Sequence, residues 1–321
     1  MTGRERFITA LKREPITGLV PHFELVFFLH MEAFGRVNPE HRNYAQWNQM
    51  TRKEQRLHLV DMAECHIMAA ERYNHDAIFL HQNPYTLDVT RELLEIIREK
   101  TGDKYFTMIH GDPTFSIPDG DHMMDFTIQM YEEPEKLHDE AKRQLETSLK
   151  WADALQGKGL LDGFALCSDY AFNVNPFFTP DQFEAFVFPY LKDVITDYHK
   201  MGYWVIKHSD GNIAPVLDQI VAAGPDALHS IDPQGGMSLA KVREQYGDRL
   251  CTIGNVNCGL LQTGTQEEAD ADVRRCLHEG MDDGKNGFIF STSNCVYTGL
   301  PLERYERMLE IWRSEGIYGK R

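Results

Sequence analysis

The chain reads as an α/β protein, a single (β/α)8 barrel of the TIM type with an N-terminal helical extension. Eight short apolar runs recur along its 321 residues, separated by helix-length segments and without a Pro/Gly/Ser-rich linker. A hydrophobic content of 42% is enough to bury one large core. The apolar runs are followed by His, Asp, Asn and Cys, the residue types expected where parallel barrel strands end and build a site. The rival, a doubly wound open sheet, lacks its usual signature. No Gly-x-Gly-x-x-Gly follows an early run, and Asp283-Gly-Lys-Asn-Gly287 has neither the length nor the Ser/Thr of a phosphate loop.

In chain order, Phe7, Ile8 and Leu11 share one side of a short helix over 5–12 that Pro15 closes, so residues 1–19 form the extension. Residues 20–28 are the first predicted strand. An amphipathic region over 44–73 precedes the second strand at 76–80, and a helical period over 90–100 precedes the third at 105–109. The remaining five strands are predicted at 163–167, 203–206, 226–231, 250–253 and 287–290. The longest connection, 111–162, holds a Pro-rich loop and then a helix over 134–155; a loop of this kind is expected to act as a lid over a pocket. The whole of 1–321 is expected to form one domain.

The charge balance, 33 Lys+Arg against 49 Asp+Glu for a net of −16, disfavours nucleic acid or an anionic membrane as the main partner. Six cysteines are scattered without a Cys-x-x-Cys pair, which argues against a disulfide framework and a zinc knuckle and fits a reducing cytoplasm. The start, Met-Thr-Gly-Arg-Glu-Arg-Phe, lacks the apolar core of a signal peptide, and no run approaches the roughly 18 apolar residues of a membrane span.

The most informative stretch is Lys207-His208-Ser209-Asp210-Gly211-Asn212, where the apolar run 203–206 delivers an imidazole and a carboxylate together at a strand end. The other ends supply His81 and Asn83, His110 and Asp112, Asp169 and Tyr170, His229 and Asp232, Asn255 and Cys258, and Asn294 and Cys295; His22 and Glu24 lie within the first strand. Imidazole, thiol and carboxylate in one basin suit a catalytic zinc, which takes three protein ligands and keeps a position open. Each residue also has a plainer reading. Asp210 equally serves an Asx turn or helix cap before Ile213, Cys258 and Cys295 equally pack as small buried thiols, and His22, His81 and His110 equally act as hydrogen-bonded structural histidines. Glu24, between Phe23 and Leu25, is expected to face the barrel mouth, with burial raising its pKa.

Several stretches together resemble the uroporphyrinogen decarboxylase superfamily: Arg4-Glu-Arg-Phe-Ile-Thr-Ala-Leu11 with Pro15 and Val20-Pro21, Phe177-Phe-Thr-Pro-Asp-Gln-Phe183 through Pro189-Tyr-Leu191, His208-Ser-Asp-Gly-Asn212, Ile253-Gly-Asn255 and Pro301-Leu-Glu303. The resemblance implies a (β/α)8 barrel and one of two chemistries, cofactor-free decarboxylation of porphyrinogen side chains or zinc-dependent methyl transfer involving corrinoid proteins. Decarboxylases of that family carry an Arg-Gln-Ala-Gly-Arg segment after the first strand and an Asp at the end of the second. Here Phe27-Phe-Leu-His-Met-Glu-Ala-Phe34 holds no arginine and Asn83 stands at the Asp position, so a polyanionic substrate would lack its clamp.

The methyltransferase branch supplies zinc with His-x-Cys after the fifth strand and a Cys after the eighth. This chain reads His208-x-Asp210, with Asn294 at the second thiol position and Cys295 one residue later. The resemblance therefore implies an O-demethylase-type methyltransferase that passes the methyl of a small ether to a corrinoid partner protein. His208, Asp210 and Cys295 are its expected zinc ligands, His208, Asp169 and Tyr170 its catalytic groups, and Glu24, Asn83, His110, Asn255 and Asn294 its substrate contacts. Two other readings stand beside it: a metal-free decarboxylase or lyase, and a barrel that binds a small molecule after losing catalysis.

Overall fold

The computed structural model describes residues 1–319. Seven strands form one parallel sheet in sequential order: β2 (Ala77–Phe79), β3 (Phe106–His110), β4 (Gly163–Leu166), β5 (Trp204–Ser209), β6 (Ala227–Ser230), β7 (Cys251–Val256) and β8 (Phe288–Thr292). Helices separate them, as a parallel sheet requires. A short antiparallel pair, β1 (Gly18–Leu19) with β9 (Ile317–Tyr318), ties the two chain ends together. This is the TIM-barrel-like α/β fold that the eight apolar runs predict.

The first predicted strand, 20–28, differs. It makes only isolated parallel bridges, His22 to Phe290 and Phe27 to Val296, yet it closes the gap between β8 and β2. The Pro21 carbonyl accepts from Phe290 N–H at 2.8 Å, and the His22 carbonyl accepts from Asp76 N–H at 2.7 Å. A regular ladder fails because Pro21 has no N–H and two neighbouring backbone donors go to carboxylates instead. His22 N–H reaches Asp76 Oδ2 at 3.0 Å and Thr292 N–H reaches Glu24 Oε2 at 3.2 Å.

Two apolar cores follow from the period-2 alternation of strand side chains. The inner one joins Phe23, Ala77, Phe79, Phe106, Met108, Ala165, Ile206, Ala227, Ile253 and Ile289, while residues such as Val205, Leu228 and Phe290 pack outward against the helices. The N-terminal helix Gly3–Leu11, capped reciprocally by Thr2 and Glu5, drives Phe7, Ala10 and Leu11 into the inner core. Arg4 pairs with Asp162 at 2.7 Å and Arg6 with Asp76, which seals the bottom of the barrel and leaves the C-terminal strand ends open.

Within 111–162, helix Pro134–Leu155 is an ordinary outer-layer helix, joined to helix Phe188–Lys200 through His138 Nδ1 and the Tyr190 hydroxyl at 2.9 Å. The extra element at the mouth is helix Met123–Glu132, whose Phe126 packs on Phe115, Phe177 and Phe178. Among the described residues no helix is long and apolar enough to cross a membrane.

Candidate metal centre

Alternation along β5 places the key side chains. Ile206 faces the barrel interior, so His208 and then Asp210 face it too, while Lys207 turns outward. Along β4 the same count from Ala165 brings Asp169 to the mouth. Asp169, His208 and Asp210 form a cluster whose ligand atoms all lie within 4.8 Å of one another. His208 Nε2 is 3.7 Å from Asp169 Oδ1 and 3.8 Å from Asp210 Oδ1. His208 is 7% exposed, Asp210 24% and Asp169 45%, so the imidazole is the floor of the cluster and Asp169 its solvent side.

Asp210 is held on every side. Its N–H donates to Asp169 Oδ1 at 2.9 Å, its Oδ1 accepts from Ser230 Oγ at 2.7 Å, and its Oδ2 accepts from the Asn294 amide. The alternative turn role falls to Asn212, whose Oδ1 accepts from Ala214 N–H at 3.2 Å. Burial pushes the Asp210 carboxyl above its ordinary range; the like charges of Asp169 and Asp232 add to this, while His208 and Ser230 oppose it.

Ser230 reaches Asp210 from a strained backbone. Ser230 and Ile231 have φ of 81° and 47°, left-handed values that cost roughly 1–3 kcal/mol each for such residues. Asn255 holds this exit in place: its amide donates to the Ile231 carbonyl at 2.7 Å and its oxygen accepts from Arg275 at 3.1 Å. Gly211, at φ 77°, accommodates a close approach as well, since a Cβ there would sit 2.3 Å from the Ala171 carbonyl oxygen.

Lys207 sits fully buried on the other side of β5. Its ammonium donates to Asp112 Oδ2 at 2.8 Å and to the carbonyls of Leu166 and Ser168, and it lies 4.0 Å from the centre of the Tyr170 ring. Burial would push Asp112 up, but the Lys207 charge, Thr114 and the Ser168 N–H outweigh it and hold the carboxyl below its ordinary range. Tyr170 belongs to this network. Its hydroxyl meets Thr114 Oγ1 at 2.6 Å, the residue is fully buried, and burial drives its pKa well up.

The other expected residues are distributed around the cluster. Cys295 is not one of the three clustered ligands; Asp169 takes that place, and burial pushes the Cys295 thiol up to about 12 with the Asp210 charge adding to it. Cys295 packs against the inner core. Asn294 does reach the cluster, through Asp210. Asn255 is fully buried behind it, and Asn83 donates to the Arg42 carbonyl at 2.6 Å. His110 packs edge-on against His81, and burial, with the neighbouring His81, lowers it to about 3. Beside His110 opens a recess of about 290 Å³ lined by Tyr85, Trp151, Phe164 and Tyr198. Glu24, expected at the mouth, is 4% exposed and points instead at Ser291 and Thr292 of β8.

Sequence reasoning gave no role to Lys207, Ser230, Ser291 or Thr292. A lysine continuing an apolar run is itself a signal of a buried ion pair; the three hydroxyls carry no comparable signal.

Residues 116–314, more than half of the chain, match the profile of the family described as uroporphyrinogen decarboxylase (URO-D). The chain belongs to the uroporphyrinogen decarboxylase family. A uroporphyrinogen decarboxylase of Chlorobium phaeovibrioides (strain DSM 265 / 1930) is 26% identical over 140 residues, covering 42% of this chain and 38% of that protein. Among solved structures, a methyltransferase from Methanosarcina mazei superposes with a TM-score of 0.74 at 19% identity, over 98% of this chain and 99% of its own. A GH5_18 protein from Streptomyces cattleya in complex with GlcNAc gives 0.52 at 10% identity, over 93% and 82%. The structural likenesses establish the barrel fold.

Proposed function

We propose that this chain is a methyltransferase that moves the methyl group of a small methyl ether to a corrinoid carried by a separate protein, assisted by zinc. The observation that supports it is the cluster of one imidazole and two carboxylates, three acceptor groups converging at the mouth. Lys207, the cation adjacent in sequence, is committed to Asp112. Among the described residues Asp169 and Asp210 have no ion-pair partner except His208. Nitrogen and oxygen donors of these types fit zinc, with Asp169, His208 and Asp210 as its ligands.

When bound, zinc supplies Lewis acidity toward the ether oxygen, and a set without thiolate makes it harder. The chain's own residues fix that set: Ser230 and Asn294 hold the Asp210 carboxylate, and Asp210 N–H holds Asp169. In the transfer the methyl–oxygen bond breaks and a carbon–cobalt bond forms. The oxygen keeps the bonding pair and takes a proton from solvent, and the two electrons of the new bond come from the reduced cobalt.

Decarboxylation of a polycarboxylate fits less well, because the mouth presents Asp169, Asp210 and Asp232 and the 27–34 segment brings no arginine. The test is metal analysis with methyl transfer to a reduced corrinoid protein, measured before and after chelation and after zinc is restored. Zinc-dependent methyl-cobalt formation supports the reading. Full activity in metal-free protein, or carbon dioxide release in place of methyl transfer, overturns it.

A further inference from the structure

Glu24 lies behind the cluster and reaches His208 and Asp210 only through intervening side chains. Oε2 meets Ser291 Oγ at 3.1 Å, Thr292 N at 3.2 Å and Thr292 Oγ1 at 2.5 Å. Thr292 Oγ1 is also 2.6 Å from the Asn294 carbonyl oxygen. A carbonyl can only accept, so the single threonine proton points there, and the short contact to Glu24 is then filled by a proton of the carboxyl group. Glu24 Oε1 is buried without a close hydrogen bond, with His22 Nε2 at 3.9 Å and the Tyr305 hydroxyl nearby, an arrangement less costly for a neutral acid than for a carboxylate. Burial raising the Glu24 pKa to about 8 agrees with this geometry.

On the other branch Ser291 donates to Glu24, and its oxygen accepts from His229 Nε2 at 3.4 Å, with the Thr292 backbone carbonyl as a second acceptor for the His229 ring. That leaves His229 Nδ1 as an acceptor, 2.7 Å from His208 Nδ1, which must then carry the proton. His208 Nε2 is then the nitrogen that faces Asp169 and Asp210, and with a cation between them it would present its lone pair. A histidine presents itself to a metal in this way when a hydrogen bond fixes its second nitrogen. Thr292 and Asn294 carry the other branch, from Glu24 to Asp210 Oδ2.

We propose that Glu24, as a neutral carboxylic acid, is a positioning residue that holds the orientation of Asp210 through Thr292 and Asn294 and, with the Thr292 carbonyl, the tautomers of His229 and His208 through Ser291. Its bearing on metal affinity rests on the zinc reading given above; its bearing on the histidine tautomers does not.

The experiment uses Zn²⁺ competition against a colorimetric chelator, together with long-range ¹H–¹⁵N spectra of the histidines in metal-free protein near pH 7. Glu24→Gln, which keeps an acceptor and a donor in the same shape, is expected to leave zinc affinity within about threefold. Glu24→Ala and Ser291→Ala are expected to lower it about 10- to 100-fold. Should Glu24→Ala fail to fold, Ser291→Ala still cuts the His229 branch while leaving the acid in place. The wild-type spectra should show His229 protonated at Nε2 and His208 at Nδ1, and Ser291→Ala should disturb that pattern. A wild type that binds no zinc overturns the metal reading, and tautomers that Ser291→Ala then disturbs still support the role of Glu24. His229 protonated at Nδ1, or Glu24→Gln losing as much affinity as Glu24→Ala, overturns the proposal.

Discussion

Lys207 and His208 are neighbours on one strand, and they sit in opposite kinds of surroundings. Lys207 faces outward into a closed socket, where Asp112, two carbonyls and the Tyr170 ring satisfy its charge and solvent is excluded. His208 faces inward to an open one, where two carboxylates converge on its Nε2 and the outer carboxylate is about half in water. The first arrangement has nothing left to bind; the second does. A buried charge pair is a matter of folding, while unbalanced acceptors at a barrel mouth are a matter of chemistry.

The largest expected effect that separates the two is on activity. His208→Ala should cut methyl transfer to the proposed corrinoid partner about a thousandfold or more, while the lost bond to His229 costs about 1–3 kcal/mol of stability. A variant that transfers at the wild-type rate would remove His208 from the site. Lys207→Met should act mainly on folding: leaving Asp112 buried and unpaired costs about 3–5 kcal/mol of stability, read by urea denaturation, while any protein that still folds should match the wild type in zinc titration.

The pH dependence sharpens the contrast further. Burial holds His22 and His66 at about 3 in the folded protein, below the ordinary value of 6.5. The unfolded chain therefore takes up protons that the folded one refuses, so stability is full above about pH 6.5 and falls as pH drops toward 3. At pH 5 each should cost about 2 kcal/mol, visible as a falling urea midpoint between pH 7 and pH 5. An unchanged midpoint would place these rings in contact with solvent. The smallest effect belongs to Tyr170→Phe. It loses one hydrogen bond to Thr114, about 1 kcal/mol, and should leave methyl transfer unchanged if Tyr170 serves the closed socket. A large loss of rate with unchanged stability would return Tyr170 to the catalytic set.

Much of this was legible in the sequence because it depends on alternation and strand order. The apolar runs marked seven paired strands, and the His-x-Asp spacing alone puts His208 and Asp210 on one face. Asp169 was legible as a strand-end carboxylate, although its place beside His208 needs the pairing of β4 with β5. What was not legible depends on contacts distant in sequence. Glu24 meets residues 267 and 268 positions away, on a segment whose proline and carboxylate contacts replace a regular ladder. Counting does not separate Cys295 from Asp169, since each lies past the end of its strand and packs toward the interior; which one joins His208 depends on how the two loops run.

The claim at the centre is an open site built from one imidazole and two carboxylates without thiolate. X-ray absorption at the zinc edge of the metal-loaded protein tests it most directly. The account predicts only nitrogen and oxygen scatterers, at about 2.0–2.2 Å, with one histidine's signature among them. A sulfur scatterer at about 2.3 Å would bring Cys295 back as a ligand and contradict the account.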